Sequence, residues 1–93
     1  MTNSAPKLTR QVIIVNELGL HARSAAKIAK IAGRSKASVW IQKGGAKADA
    51  ASILDILTLE CEKGSQITIA IENKADAHIL ESIVELIEKG FGE

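Results

Sequence analysis

The sequence predicts an α+β domain, a four-stranded sheet with three helices on one face, in the order β-α-β-β-α-β-α. Three observations carry that reading. "QITIAIE" (66–72) alternates, with Ile67, Ile69 and Ile71 on one face and Thr68, Ala70 and Glu72 on the other, the pattern of a strand with one wet side. Two segments repeat apolar residues at three- and four-residue spacing: Ala25, Ile28, Ala29 and Ala32, then Leu80, Ile83, Val84 and Ile87. These are helices with one apolar stripe each. Finally, 93 residues suffice for one modest core, and elements with single apolar faces bury them most simply as two layers.

Taken in order, residues 1–9 read as a frayed tail and 10–93 as a single domain. "QVIIVN" (11–16) reads as a largely buried strand, stopped by a Gly-Leu step. Ala22–Ala32 reads as a helix whose alanines allow close approach, with Gly33 as its C′ terminator. Arg23, Lys27, Lys30 and Arg34 share one polar side of it. "ASVWIQ" (37–42) is a strand with Val39 and Ile41 inward, and Trp40 falls out of phase as cover on the open side. Lys43-Gly44-Gly45 turns the chain into a short return strand, "AKAD" (46–49). Ser52 with Asp55 resembles a capping box ahead of a short helix in "SILDILTL". Asn73 with Asp76 reads as the start of the last helix, with Glu81, Glu85 and Glu88 outward and Gly90 as its end.

Composition excludes several classes. No apolar run approaches the ~18 residues of a spanning helix, and the N-terminus carries no apolar stretch of a signal peptide. One cysteine, Cys61, forms no internal disulfide, which fits a cytoplasmic protein. Cys61, His21 and His78 lack metal-ligand spacing, and no cofactor motif is present. Net charge is only +1, yet residues 1–47 hold nine Lys/Arg against one acid, and residues 48–93 hold three Lys against ten acids. Such a dipole points to an anionic partner on the basic side.

His21 stands out. It sits in "ELGLHARSAAKI" (17–28), where a strand hands over to a helix. A plain helix-start residue that caps or packs locally is one reading. The other rests on physics. A helix N-terminus offers unpaired N–H groups and a positive dipole end, which bind anions. The same end disfavours imidazolium, keeping the ring neutral and nucleophilic. Arg23 can set a guanidinium beside a phosphate. The backbone at Ala22 and Ser24 adds first-turn donors. A neutral imidazole so placed can accept a phosphoryl group.

"GLHARSAA" closely resembles the "GLHARPA" signature of the histidine-containing phosphocarrier (HPr) family of the phosphoenolpyruvate:sugar phosphotransferase system. "ASILDILTL" resembles the family's regulatory-serine segment, "KGSQITI" its last strand and "FGE" its common C-terminus. The likeness covers about residues 10–93 without insertions. It implies an open-faced β-sandwich, an antiparallel sheet in the order 1-4-2-3. It implies phosphorylation of His21 on Nδ1, with Arg23 neutralising the phosphate. Ser52 matches the serine modified by a dedicated kinase and restored by its phosphorylase. Ile53, Leu54 and Leu57 match an apolar docking patch, which Lys27 and Lys30 would flank. The implied partners are the phosphoenolpyruvate-protein phosphotransferase (the first enzyme) and IIA-type domains, met by a cytoplasmic monomer that acts as a shuttle and turns over no small molecule alone.

Two departures bear on this. Ser24 replaces the signature proline, whose loss removes rigidity of on the order of 0.4–1 kcal/mol. Ala51 stands where a basic residue often precedes the serine, and Asp55 adds a carboxylate, so Ser52 is equally a plain N-cap. Two further functions compete. A nitrogen-branch paralogue would share the chemistry and differ in output. A nucleic-acid module would use the basic stripe, but one sheet aromatic and an acidic second half argue against it.

Overall fold

A computed structural model describes residues 8–93. The four strands are β1 (Thr9–Ile13), β2 (Val39–Lys43), β3 (Ala46–Asp49) and β4 (Gln66–Ile71). They form one antiparallel sheet in the order β1-β4-β2-β3, which bears out the expected topology. The helices are α1 (Ala22–Ala32), α2 (Ile53–Leu57) and α3 (Ala77–Glu88). α1 packs against α2 and α3, and α3 lies over β1 and β4. Between the layers lie Val12, Ile14, Val39, Ile41, Ile67, Ile69 and Ile71 from the sheet side, met by Ile28, Ile56, Leu80, Ile83 and Ile87. The expected inward sets on β2, β4 and α3 are therefore the observed ones, whereas on α1 Ala25, Ile28 and Ala32 are buried, Ala29 is half-buried and Ser24 joins the buried face. No helix among the described residues is long and apolar enough to cross a membrane.

Several boundaries differ from the sequence expectation, each for a local reason. Residues 1–7 of the expected tail lie outside the described residues, but Thr9 already pairs with Ala70 and the Ile71 N–H donates to the Leu8 carbonyl at 2.9 Å. β1 is an edge strand. Only Val12 and Ile14 reach the core, while Ile13 and Val15 are exposed, so the strand is half-buried. Gly33 is not left-handed. Its φ is −64°, and the chain keeps winding through i→i+3 bonds from Arg34 to Ile31 and Ser35 to Ala32. β2 starts at Val39 because the Lys36 and Ala37 amides are taken, at 2.9 and 3.0 Å, by the carboxylate of Asp76.

Asp76 thus has a different role from the expected cap. Asn73 caps a short 3₁₀ turn over 74–76, accepting the Ala75 N–H at 2.8 Å, while Asp76 is buried and ties the start of α3 to the loop ahead of β2. The Lys36 amide bond, chiefly, holds this carboxyl below its usual range. Ser52 does cap α2, accepting the Asp55 N–H at 3.2 Å. The reciprocal half of the box is absent, since Asp55 Oδ2 instead accepts the Asp49 N–H at 2.6 Å. Trp40 is half-buried, donates to Glu72 at 2.7 Å and lies under the Lys47 ammonium, 4.2 Å from its centroid.

Candidate functional site

The loop from Asn16 to His21 is fixed by backbone constraints before any side chain is considered. Gly19 has φ +65°, and a Cβ there would lie 2.3 Å from the Cys61 carbonyl oxygen. Only glycine fits. Leu20 then donates its N–H to the same Cys61 carbonyl at 2.8 Å. This pins His21 as the N-cap of α1, in extended backbone (φ −125°, ψ −178°).

The ring has two separate environments. Nδ1 accepts the Arg23 backbone N–H at 3.2 Å, and Nε2 lies 2.6 Å from Glu93 Oε2. A nitrogen that accepts an N–H bond carries no proton itself, so the neutral ring's proton sits on Nε2, facing the carboxylate. Nδ1 carries the unprotonated lone pair, turned to the first-turn amides of α1. No acidic residue occupies that first turn.

Glu93 is held in place by a strap. Gly90, Phe91 and Gly92 all have left-handed φ (+65°, +61°, +75°), a tight curl anchored by the buried Phe91 ring. The Lys27 ammonium donates to the Phe91 carbonyl at 2.7 Å. Buried Asn16 donates its side-chain amide to the Gly19 carbonyl at 2.8 Å and to Glu93 Oε1 at 2.9 Å. The Asn16 bond, followed by the one to His21, keeps the Glu93 carboxyl below its ordinary range, against an opposing effect of burial.

Ser24 is wholly buried. Its hydroxyl accepts the His21 N–H at 2.9 Å and lies 3.2 Å from both the Gly19 and His21 carbonyls. The box that α2 lacks is therefore built here, and it stiffens the turn that the missing proline would have stiffened.

Of the residues singled out from sequence, His21, Ala22, Arg23 and Ser24 come together at the start of α1. Arg23 contributes its backbone N–H to the ring, and its side chain is exposed close enough to act on the Glu93 charge. Lys27 and Lys30 are exposed on α1, but Lys27 is engaged by the strap. Ile53 and Leu54 are exposed on α2, while Leu57 is half-buried against the core. Ser52 is half-buried at its cap. Asn16 and Glu93 were missed. Glu93 meets His21 across 72 residues of sequence and Asn16 across 77, and no periodicity carries such contacts. The one available signal was the Gly-Phe-Gly ahead of the final glutamate.

Comparison with known proteins follows the same lines. The family model described as "PTS HPr component phosphorylation site" matches residues 8–89. A phosphocarrier protein NPr of Shewanella violacea is 42% identical over 94% of this chain and 96% of its own. A phosphocarrier protein HPr of Cupriavidus necator is 34% identical over 92% and 97%. The crystal structure of HPr-C-His from Thermoanaerobacter tengcongensis matches with a TM-score of 0.86 at 32% identity, over 91% of this chain and 96% of that one.

Proposed function

The chain belongs to the HPr family of phosphocarriers of the phosphotransferase system, and on that premise we propose that His21 is its phosphoryl-carrying residue. Nδ1 attacks the phosphorus of a phosphohistidine on the phosphoenolpyruvate-dependent first enzyme. The new N–P bond forms at Nδ1, the donor's N–P bond breaks, and its electron pair returns to the donor imidazole. The Arg23 amide, held by Nδ1 in the resting state, is released to a phosphoryl oxygen, joined by the Ala22 and Ser24 amides and the Arg23 guanidinium. The phosphorylated ring keeps its Nε2 proton and is cationic. Glu93 faces that charge, which stabilises the loaded state. Reversal of the same steps hands the group to a histidine on a IIA-type domain.

The observation that carries this reading is the split of the ring, with Nδ1 at the helix amides and Nε2 on Glu93. Incubation with phosphoenolpyruvate and the first enzyme should add about 80 Da in acid-labile form, and His21→Ala should remove it. No mass gain in the wild-type chain overturns the reading.

The same reading takes the carrier as a monomer in the cytoplasm, with Ile53 and Leu54 as part of its contact surface. Modification of Ser52 by a serine kinase belongs to the same reading. The 42% identity to an NPr favours a second output, the nitrogen-related branch with a signalling role. Relative rates of transfer to a sugar-specific and a nitrogen-branch IIA domain decide between the two.

A further inference from the structure

Next to Glu93 lies an open hollow of about 530 Å³, lined by Val15, Glu17, Leu18 and Glu88 among others. Leu18 is 71% exposed and Val15 46%. A second hollow of about 410 Å³ runs on along β1 past Ile13, itself 54% exposed, and shares Val15 and Glu88 with the first. Single exposed leucines need no explanation. Three apolar side chains along one groove that leads to a reactive ring do.

We infer that Leu18 and Val15 form a docking edge for the protein that presents a phosphohistidine to His21, receiving from it an apolar side chain flanked by a cation. This rests on the carrier reading above and adds to it a surface that the α2 patch does not include.

Reach is the first argument. The donor's phosphorus must come within bonding distance of Nδ1, so the donor's surface must close over the ring. A specific interface covers about 800 Å² per partner, a disc about 16 Å in radius. Leu18 is three residues from His21, and its hollow is walled by Glu93, which is bonded to the ring at 2.6 Å. A footprint of that size centred on His21 covers Leu18.

Charge is the second argument. Along α1 the surface is basic, through Arg23, Lys27, Lys30 and Arg34. In the groove Glu17, Glu88 and Glu93 stand against one cation, Lys89, itself bonded to Glu85 at 3.3 Å, so acids prevail. Glu17 is offset by Lys63 at 2.9 Å and Glu93 by Asn16 and His21. Glu88 acts on Arg10, whose guanidinium is already bonded to Glu81 at 2.6 Å. A uniformly acidic donor surface would be attracted at α1 and repelled at Glu88. The surface that fits both is graded, acidic towards α1 and apolar with a cation towards β1. Such a gradient fixes the orientation of the encounter as well as its rate.

Steady-state transfer from the phosphorylated first enzyme to the full chain tests this, comparing wild type with Leu18→Asp and Val15→Asp. Leu8→Asp, also exposed on the β1 side, serves as the control. KM should rise at least about tenfold for Leu18→Asp, the scale of losing an apolar anchor, and by less for Val15→Asp. Glu88→Lys should raise KM as well, and Leu8→Asp should not. Melting temperatures report that the variants fold. An unchanged KM for Leu18→Asp, with His21 still phosphorylated, overturns the docking edge and leaves the carrier reading standing. Absence of phosphorylation in the wild type removes both. A wild-type dimer in sedimentation that Leu18→Asp disperses assigns the edge to a second copy and overturns it too.

Discussion

Two helix starts in this molecule look alike and differ in what surrounds them. α1 begins at His21 and α2 at Ser52, each in extended backbone (φ −125° and −114°), each with a side-chain acceptor 3.2 Å from a first-turn amide. At α2 the positive end is already matched by carboxylates. Asp55 sits in the first turn and takes the Asp49 N–H, and Asp49 takes the Ala51 N–H at 2.8 Å. A phosphate added there meets two resident negative charges. At α1 the first turn has no acid. The acceptor is a ring nitrogen that can hand its amide over to a phosphoryl oxygen, with Arg23 alongside. Cap geometry alone therefore does not make an anion site. What decides is whether a carboxylate already occupies the first-turn end; at α1 Glu93 sits on the far ring nitrogen, Nε2, and leaves that end without an acid.

The largest effect that would break this comparison is at the rings and hydroxyls themselves. His21→Ala should abolish phosphorylation by the first enzyme, while Ser52→Ala should leave it intact, read by intact mass and acid lability. A phosphate found on Ser52 after that incubation would invert the argument. Next in size is the loop that aims His21. Gly19→Ala forces a Cβ onto the Cys61 carbonyl at a left-handed φ and should cost on the order of 3 kcal/mol in denaturant unfolding. No position around Ser52 carries a comparable constraint among the described glycines.

Much of this was legible in the sequence, and the reason is periodicity. β4 and the faces of α1 and α3 follow from period 2 and period 3.6, and the core residues they named are buried except Ala29, which is half-buried. His21 was legible because strand, Gly-Leu and a basic helix are contiguous. The failures are all long-range or directional. Asp76 was read as a local cap because it sits three residues after Asn73. It instead reaches 40 residues back to the Lys36 amide, a contact set by how α3 lies against the sheet. Ile13 and Val15 were read as buried because a β-branched run does not say which strand lies at an edge. Glu93 and Asn16 were invisible because a polar contact between chain ends has no local signature.

A smaller effect sharpens the role of Glu93. Its carboxyl lies below the ordinary value of 4.5, chiefly through the Asn16 bond. A depressed carboxylate favours the folded strap at neutral pH, and that contribution is lost as pH falls below 4.5 through the folded value. Glu93→Gln should lower the melting temperature at pH 7, and the gap from wild type should close below pH 4.5. The Gln side chain can still accept the Nε2 proton's bond but brings no charge to face the phosphorylated ring. Transfer should therefore persist, slowed by a few-fold. A pH-independent gap would mean the strap is held by Lys27 and the Phe91 ring alone.

The smallest effect separates the two caps by what a hydroxyl does in each. Ser52→Ala loses one half-buried cap bond and should cost about 1 kcal/mol. Ser24→Ala loses the bond that its wholly buried hydroxyl accepts from the half-buried His21 N–H and should cost as much or somewhat more, since that N–H is left without its partner. The sequence comparison alone ranks Ser24 below proline. The buried hydroxyl changes that ranking, because the bond it makes restores the rigidity that a fixed φ would supply. Ser24→Pro exchanges the bond for about 0.4–1 kcal/mol of reduced chain entropy. It should leave the melting temperature within a few degrees of wild type while Ser24→Ala falls clearly below both. If proline instead raised the melting temperature and the transfer rate together, the capping box at His21 would be a poor substitute for the ring, and the stiffness of this turn would rest on Gly19 and Asn16.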